Sequence, residues 1–179
     1  LGGVQGLAAG RAILSLNVLA DNLGKAGGLF LTPGLSGIGE SPGRPATTLA
    51  AREAVMEFLA QRGLAAPELV LENGSGLSRI ERISAATMAD VLLAAYRSQY
   101  MPEFAASLPL SATDGTLKRR FRAPEMQGRL RMKTGTLDDV TALAGFVSAA
   151  SGRTFVTVVV LNHPGAGQGA GESIQTALV

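Results

Sequence analysis

The stretch that decides the fold runs from Arg129 to Ala144 and reads Arg-Leu-Arg-Met-Lys-Thr-Gly-Thr-Leu-Asp-Asp-Val-Thr-Ala-Leu-Ala. Polar and apolar residues alternate from Arg129 to Lys133, which is the period of a half-buried β-strand. This period places Arg129, Arg131 and Lys133 on one face and the apolar side chains between them on the other. Gly135 follows, and a glycine there lets a ligand or another chain approach the backbone. The sequence therefore predicts a cationic strand edge that is suited to binding a carboxylate.

Two further strands follow this one. Val140–Ala149 and Thr154–Asn162 are rich in apolar and β-branched residues, and Ala150–Arg153 joins them as a hairpin. Because Phe155–Leu161 is apolar throughout, we expect the second of them to be central in the sheet and covered on both faces. Closely spaced strands between helical segments predict an α+β fold in which helices flank an antiparallel sheet.

The first helical segment lies well before the strands. Thr47 or Thr48 is predicted to cap this helix, which should run to about Arg62 and be stopped by Gly63. Three residues at helical spacing form its inner face: Val55, Met56 and Leu59. The short apolar run Glu68–Leu71 that follows predicts a strand.

A second helix is predicted from Ala85 to about Ser98, with Ser84 as its N-cap. Its core-facing stripe consists of Met88, Val91, Leu92 and Ala95. Pro102 and Pro109 are expected to interrupt regular structure after it, and a final helix is predicted to start near Glu172.

Composition narrows the possible functions. The chain has 179 residues, of which 46% are hydrophobic and 17% are charged, so it can fill one core and is not a disordered chain. A net charge of +2 is too small to indicate a nucleic-acid partner. The apolar runs are far shorter than a bilayer crossing, so no transmembrane segment is expected. Cysteine is absent, which excludes disulfides and thiolate metal sites.

Three residues invite a catalytic interpretation, and a structural one is favoured for each. Ser75 lies in Gly-Ser-Gly, but the Gly-x-Ser-x-Gly spacing of a hydrolase elbow is not met. Asp114 precedes a glycine, as turn-forming residues do. His163 stands beside a proline and has no second histidine or cysteine with which to hold zinc. We therefore expect no metal site.

Two short motifs carry a resemblance to known enzymes. Ser15-Leu16-Asn17 has the form Ser-x-Asn, and Lys133-Thr134-Gly135 has the form Lys-Thr-Gly, which are two of the three signatures of penicillin-recognising serine enzymes. Six longer sequence segments are more specific, and they occur in this order: Asn73-Gly-Ser-Gly-Leu-Ser-Arg79, Ser107-Leu-Pro-Leu, Asp114-Gly-Thr-Leu, Lys133-Thr-Gly-Thr-Leu, Ala144-Gly-Phe and Asn162-His-Pro. The chain resembles the C-terminal part of the catalytic domain in the serine-type D-alanyl-D-alanine carboxypeptidase/endopeptidase family, the class C low-molecular-mass penicillin-binding proteins.

The resemblance implies that residues 1–179 are the C-terminal portion of a single transpeptidase-like, β-lactamase-like domain. It covers about Ala46–Val179 well and is looser before that, where residues 24–45, rich in Gly, Pro and Ser, are expected to be a loop or a divergent insertion. No serine in the chain has a lysine three positions on, so the third signature, Ser-x-x-Lys, is absent. We expect the nucleophile to lie in a missing N-terminal half, and this chain alone to be inactive.

The reaction that the resemblance implies is acyl transfer to a serine. By their positions in the motifs, Ser15 would relay a proton towards the leaving amine, and Asn17 would hydrogen-bond the substrate. Lys133 would supply positive potential to Ser15 and to the substrate carboxylate. No organic cofactor is implied.

The rest of the Lys-Thr-Gly segment would bind the substrate directly. The hydroxyls of Thr134 and Thr136, on either side of Gly135, would hold the terminal carboxylate. The backbone N–H of Thr136 would be one donor to the oxyanion.

The implied partners are a peptidoglycan stem peptide ending in D-Ala-D-Ala, β-lactams, and the missing half of the same domain. Because that substrate is assembled outside the cytoplasm, the resemblance places the protein in the periplasm or at the cell surface. The alternatives are a non-catalytic module that binds peptidoglycan peptides, and a generic interaction domain with no pocket beside Lys133.

Overall fold

A computed structural model describes residues 48–72 and 76–179. The chain divides into two compact units, with the boundary between Ile83 and Ser84. The predicted 24–45 loop, the possible cap Thr47 and the turn at Ser75 lie outside the described residues. That residues 1–179 belong to a single domain stays a prediction.

The first unit contains helix α1, Thr48–Gln61, close to the predicted span. Leu59 is its buried residue, and Val55 and Met56 are half-buried, so the predicted inner face is confirmed. Gly63 has a φ of +69°, a conformation that glycine adopts at little cost, and it ends the helix as predicted.

The predicted strand Glu68–Leu71 is wrong. Its segment forms a single isolated bridge, in which Val70 and Arg82 exchange two backbone hydrogen bonds of 2.9 and 3.0 Å. Val70 is also 37% exposed. An apolar run becomes a strand only where a partner ladder continues beside it, and here the pairing does not extend.

The second unit begins with helix α2, Ala85–Tyr96, and its predicted N-cap is confirmed. The Ser84 hydroxyl oxygen accepts the backbone N–H of Thr87 at 3.0 Å. Val91 and Leu92 are buried as predicted, and Thr87 is buried beside them.

Replacing Ser84 with alanine is expected to lower the free energy of unfolding by about 1 kcal/mol, because the Thr87 N–H then loses its acceptor at the helix N-terminus. Urea denaturation followed by far-UV circular dichroism measures this. Ser151→Ala, in the exposed turn between the last two strands, is the matched control and should change stability by less than about 0.5 kcal/mol. Equal effects for the two variants would show that the cap contributes nothing.

A helix that the sequence did not predict follows. Helix α3 runs from Met101 to Ser107, with Pro102 in its first turn. Proline is tolerated there because the first N–H groups of a helix have no intrahelical acceptor. The helix buries Phe104, whose ring meets that of Phe146 at 5.9 Å in an edge-on arrangement. Pro102 therefore starts a helix where an interruption was expected.

The sheet has three antiparallel strands in the described residues: β1, Leu130–Leu137; β2, Val140–Ser148; and β3, Thr154–Asn162. Strand β1 pairs with β2, and β2 pairs with β3 in continuous register. Helices precede the sheet and helix α4, Ala170–Leu178, follows it. This order confirms the α+β prediction, and the boundaries of β2 and β3 agree with the predicted ones to within a residue.

The prediction that β3 is central is wrong for the sheet that the structure describes, because β2 is the middle strand. Helix α2 packs against β3, while Phe155 and Val160 on β3 remain 42% and 36% exposed. A continuous apolar run shows that a strand is hydrophobic, but its place in the sheet depends on pairing with distant residues.

The central cluster of the second unit lies under β1 and β2. Five fully or almost fully buried side chains form it: Leu117, Phe121, Leu130, Met132 and Leu143. Among the residues described, no helix is both long enough and apolar enough to traverse a bilayer.

Candidate active site

Strand β1 has the predicted alternation. Leu130 and Met132 are 2% and 0% exposed, whereas Arg131 and Lys133 are half-buried on the opposite face. Arg129 lies just before the strand and is exposed. The apolar residues anchor the strand on the core. The Lys-Thr-Gly segment belongs to the same strand, so its backbone is held in place as well.

A loop at residues 109–111, here called the covering loop, lies along the outer edge of β1, but only beside the first half of the strand. The N–H of Ser111 donates to the Leu130 carbonyl at 2.9 Å, and the N–H of Met132 donates to the Pro109 carbonyl at 3.0 Å. Within the described part of the chain, backbone hydrogen bonds from this loop stop at Met132. The outer edge beside Thr134–Thr136 lies beyond this cover.

Two side chains fix the covering loop. Ser111 is fully buried; its hydroxyl donates to the Met126 carbonyl at 2.6 Å and accepts the Leu130 N–H at 3.1 Å. The Asp114 carboxylate accepts the Leu110 N–H at 2.7 Å, which matches the structural role favoured for Asp114. The covering loop is therefore held in place, and its contacts with β1 end beside Met132, one residue before Lys133.

The backbone of β1 directs alternate residues to opposite edges. In an antiparallel strand the N–H and C=O of one residue point the same way, and those of the next residue point the other way. Because Leu130 and Met132 bond outwards to the loop, Thr134 and Thr136 also direct their N–H groups outwards. The N–H predicted to serve as an oxyanion donor thus points away from β2, towards the edge.

The Lys133 side chain lies along this same edge. Its ammonium group donates to the Thr134 carbonyl at 2.7 Å, although the alternation places Lys133 and the two threonines on opposite faces of the sheet. Thr134 is half-buried, while Gly135 and Thr136 are exposed. A positive charge, two hydroxyls and outward N–H groups therefore occur within four consecutive residues, which is the donor set that a carboxylate and an oxyanion require.

A buried polar chain approaches the inner side of the same segment. The Arg120 guanidinium donates to the Gln175 side-chain oxygen at 3.1 Å. The Gln175 amide donates to the Thr141 hydroxyl oxygen at 3.3 Å, and that hydroxyl donates to the Gly135 carbonyl at 3.4 Å. Thr141 and Gln175 were not predicted from the sequence. Thr141 lies two positions before the buried Leu143 on β2, and this polar residue at an inward position was the available signal.

Burial lowers the pKa of the Arg120 guanidinium, and the nearby Glu172 carboxylate acts in the opposite direction. An arginine remains protonated under both influences. Arg120 also donates to the Glu172 carbonyl at 3.4 Å. The buried chain therefore starts from a permanent cation.

Two of the predicted site residues, Ser15 and Asn17, lie outside the described residues, so their roles stay predictions.

The backbone of His163 forms two hydrogen bonds beside the β1–β2 turn. Its N–H donates to the Asp139 carbonyl at 2.9 Å, and its carbonyl accepts the Ala166 N–H at 2.8 Å.

Comparison with known proteins identifies the family. Residues 18–179 match the family described as D-Ala-D-Ala carboxypeptidase 3 (S13). The chain belongs to this peptidase family. The matched range contains Lys133–Thr136 and begins one residue after Asn17.

Individual relatives agree with the S13 assignment. The chain is 34% identical over 133 residues to a D-alanyl-D-alanine carboxypeptidase of Actinomadura sp. strain R39, covering 72% of this chain and 25% of the relative. It is 32% identical over 134 residues to carboxypeptidase DacB of Mycolicibacterium smegmatis, covering 72% and 29%.

The crystal structure of penicillin binding protein 4 (dacB) from Haemophilus influenzae superposes with a TM-score of 0.63 at 30% identity, covering 67% of this chain and 27% of that one. The predicted fold class, part of a penicillin-binding domain, is thereby confirmed. The chain spans about a quarter of the length of the relatives it matches.

Proposed function

We propose that this chain forms one wall of the catalytic cleft in a serine-type D-Ala-D-Ala carboxypeptidase/endopeptidase that acts on peptidoglycan stem peptides and binds penicillin. The observation that supports this most strongly is the outer edge of β1 at Lys133–Thr136, in a chain of the S13 family. There a lysine and two threonines flank a backbone N–H that points away from the sheet.

In the proposed reaction a serine oxygen attacks the carbonyl carbon of the D-Ala-D-Ala peptide bond. The C–N bond then breaks, the terminal D-alanine leaves with a proton on its nitrogen, and water later hydrolyses the acyl ester. Because no serine of this chain belongs to a Ser-x-x-Lys motif, we infer that the nucleophile comes from polypeptide outside these 179 residues. β-Lactams would acylate the same serine.

The residues of this chain bind and orient in that reaction. Lys133 provides positive potential for the terminal carboxylate, and the hydroxyls of Thr134 and Thr136 bind that group. The Thr136 N–H donates to the oxyanion as it forms. Ser15 relays the proton to the leaving amine, and Asn17 hydrogen-bonds the backbone or a side-chain amide of the substrate.

The proposed substrate also indicates the cellular location in which the protein would act. Peptidoglycan stem peptides are exposed outside the cytoplasm, so the activity requires the periplasm or the cell surface. The proposed partners are the stem peptide, β-lactams and the polypeptide that carries the serine; no metal or organic cofactor takes part.

The experiment uses the protein encoded by the complete reading frame. We expect a covalent adduct with fluorescent penicillin, blocked by excess unlabelled penicillin, and release of D-alanine from a peptide ending in D-Ala-D-Ala. A peptide ending in L-Ala-L-Ala is the matched control and should release nothing. Residues 1–179 alone should form no adduct, because they lack the motif serine.

Two results would overturn the proposal. If the complete protein forms no adduct and releases no D-alanine, it is not such an enzyme; an adduct on residues 1–179 alone would place the nucleophile within them. The missing Ser-x-x-Lys motif also favours a second function, binding of the peptide without chemistry. That function would be indicated by saturable peptide binding without an adduct, and by a reading frame with no Ser-x-x-Lys motif before Leu1.

A further inference from the structure

One peptide group joins the buried polar chain to the outer edge of β1. The carbonyl of Gly135 and the N–H of Thr136 belong to the same planar unit, so they point in opposite directions. The carbonyl lies on the β2 side, 3.4 Å from the Thr141 hydroxyl oxygen. The N–H points to the outer edge. Whatever orients the carbonyl therefore also orients the proposed oxyanion donor.

The donors and acceptors in the buried chain allow its hydrogen bonds to run in one direction only. Arginine can only donate, so it must face the oxygen of the Gln175 amide. The nitrogen of that amide can only donate, so Thr141 accepts it. The single hydroxyl proton of Thr141 is then left to donate to Gly135. Each donor points towards the same carbonyl, and the source of this polarity is the cation at Arg120.

Close packing holds the two middle members in place. Gln175 and Thr141 are 0% and 2% exposed, so water does not compete for their hydrogen bonds. A side chain at Gly171, near the start of α4, would overlap the Thr141 methyl group and lie 2.6 Å from the Ala166 carbonyl oxygen. Because the Thr141 methyl occupies the space next to Gly171, its hydroxyl is turned to the other side, towards β1.

We propose that Arg120, Gln175 and Thr141 are positioning residues that orient and polarise the Gly135–Thr136 peptide, so that its N–H becomes a stronger donor to the oxyanion. This rests on the proposed acyl-transfer function. Hydrogen bonding to a peptide carbonyl draws electron density from the amide and strengthens its N–H as a donor, and bonds in a chain reinforce one another. None of the three residues needs to touch the substrate.

Thr141→Val tests the proposal in the protein encoded by the complete reading frame, since valine has the shape of threonine without the hydroxyl. We expect the first-order rate of acylation by penicillin to fall about threefold to tenfold, the effect of losing one neutral hydrogen bond. The dissociation constant of the complex before acylation should be unchanged. Thr141→Ser keeps the donor and should restore most of the rate. Thr157→Val, on β3, is the matched control and should leave the rate as it is.

Gln175→Glu provides an independent test with a residue of the same shape. The carboxylate still accepts from Arg120, but it also accepts the Thr141 hydroxyl proton, which reverses the second half of the chain. We expect acylation to slow by about the same threefold to tenfold, without loss of thermal stability. A role confined to packing predicts no slowing in this variant, and it predicts that Thr141→Ser is worse than Thr141→Val because serine lacks the methyl group.

A readout that does not depend on activity separates this proposal from the function on which it rests. In protein labelled with ¹⁵N-threonine, the amide proton of Thr136 should move upfield in both Thr141→Val and Gln175→Glu. Wild-type acylation rates or an unmoved Thr136 amide in both variants would overturn the positioning role while the proposed function stands. If wild-type protein is not acylated at all, the proposed function fails, whatever the Thr136 amide shows. If Thr141→Val does not fold, Gln175→Glu decides the question.

Discussion

Replacing Lys133 with alanine is expected to slow acylation by penicillin about a hundredfold or more in the protein encoded by the complete reading frame. The ammonium group lies at the outer edge of β1, donating to the Thr134 carbonyl at 2.7 Å. It is therefore fixed where a terminal carboxylate would meet the two threonine hydroxyls. A fixed charge beside developing negative charge is worth more than one that must reorganise during the reaction. Time-resolved labelling with fluorescent penicillin measures the effect.

The matched control for this variant is Arg153→Ala. It removes one positive charge from the same sheet, but Arg153 lies in the β2–β3 hairpin, at the opposite end of the strands from Thr136. Its rate should stay within about threefold of wild type, because exposed charges are screened by salt over about 10 Å. If Lys133→Ala is acylated as fast as Arg153→Ala, Lys133 has no part in the reaction.

Replacing Gly145 with alanine is expected to be the most destabilising of the substitutions considered, with a loss of about 2–5 kcal/mol of unfolding free energy. Gly145 lies on β2 opposite Met132, with a φ of +154°. A side chain there would overlap the Arg131 carbonyl oxygen and lie 2.7 Å from the Met132 Cα. Both contacts are with backbone, so no side-chain rotation relieves them, and β1 must move away from β2.

Gly152→Ala is the matched control, since Gly152 also has a positive φ, +79°, but nothing lies within 4 Å of an added side chain. Its cost should be about 1 kcal/mol, from backbone strain alone. Urea denaturation of the two variants under the same conditions separates strain from overlap. Equal losses would mean that the close approach of β1 and β2 at Gly145 is not required for stability.

Local chemistry made much of the second unit predictable. The alternation from Arg129 to Lys133, the hairpin at Ala150–Arg153 and the Ser84 cap each depend on residues close together in sequence. Turn geometry and side-chain period act at that range, and this is why the boundaries of β2 and β3 and the N-cap were confirmed. The helix Met101–Ser107 was missed for a related reason: Pro102 stops a helix in its interior but is tolerated in a first turn, and the sequence pattern did not show which applied.

The candidate site likewise contains some residues that could be predicted from the sequence and others that could not. Lys133–Thr136 could be named from the sequence because the motif and its strand are continuous. Gln175 could not, because it is an ordinary polar residue in a nine-residue helix until folding brings it to Thr141. A polar residue on a buried helix face is a signal only once that face is known.

The sequence by itself determined the family, the α+β class, the three strands and the position of the Lys-Thr-Gly segment on the first of them. These follow from motif order and from periodicity along the chain. Only the tertiary structure decided that β2 and not β3 is the middle strand of the described sheet, that the Thr136 N–H points outwards, and that Arg120, Gln175 and Thr141 meet behind the Gly135 carbonyl. Each of these depends on pairing or packing between residues far apart in the chain. The free energy of such contacts is set by burial and register in three dimensions, which one strand or helix does not encode alone.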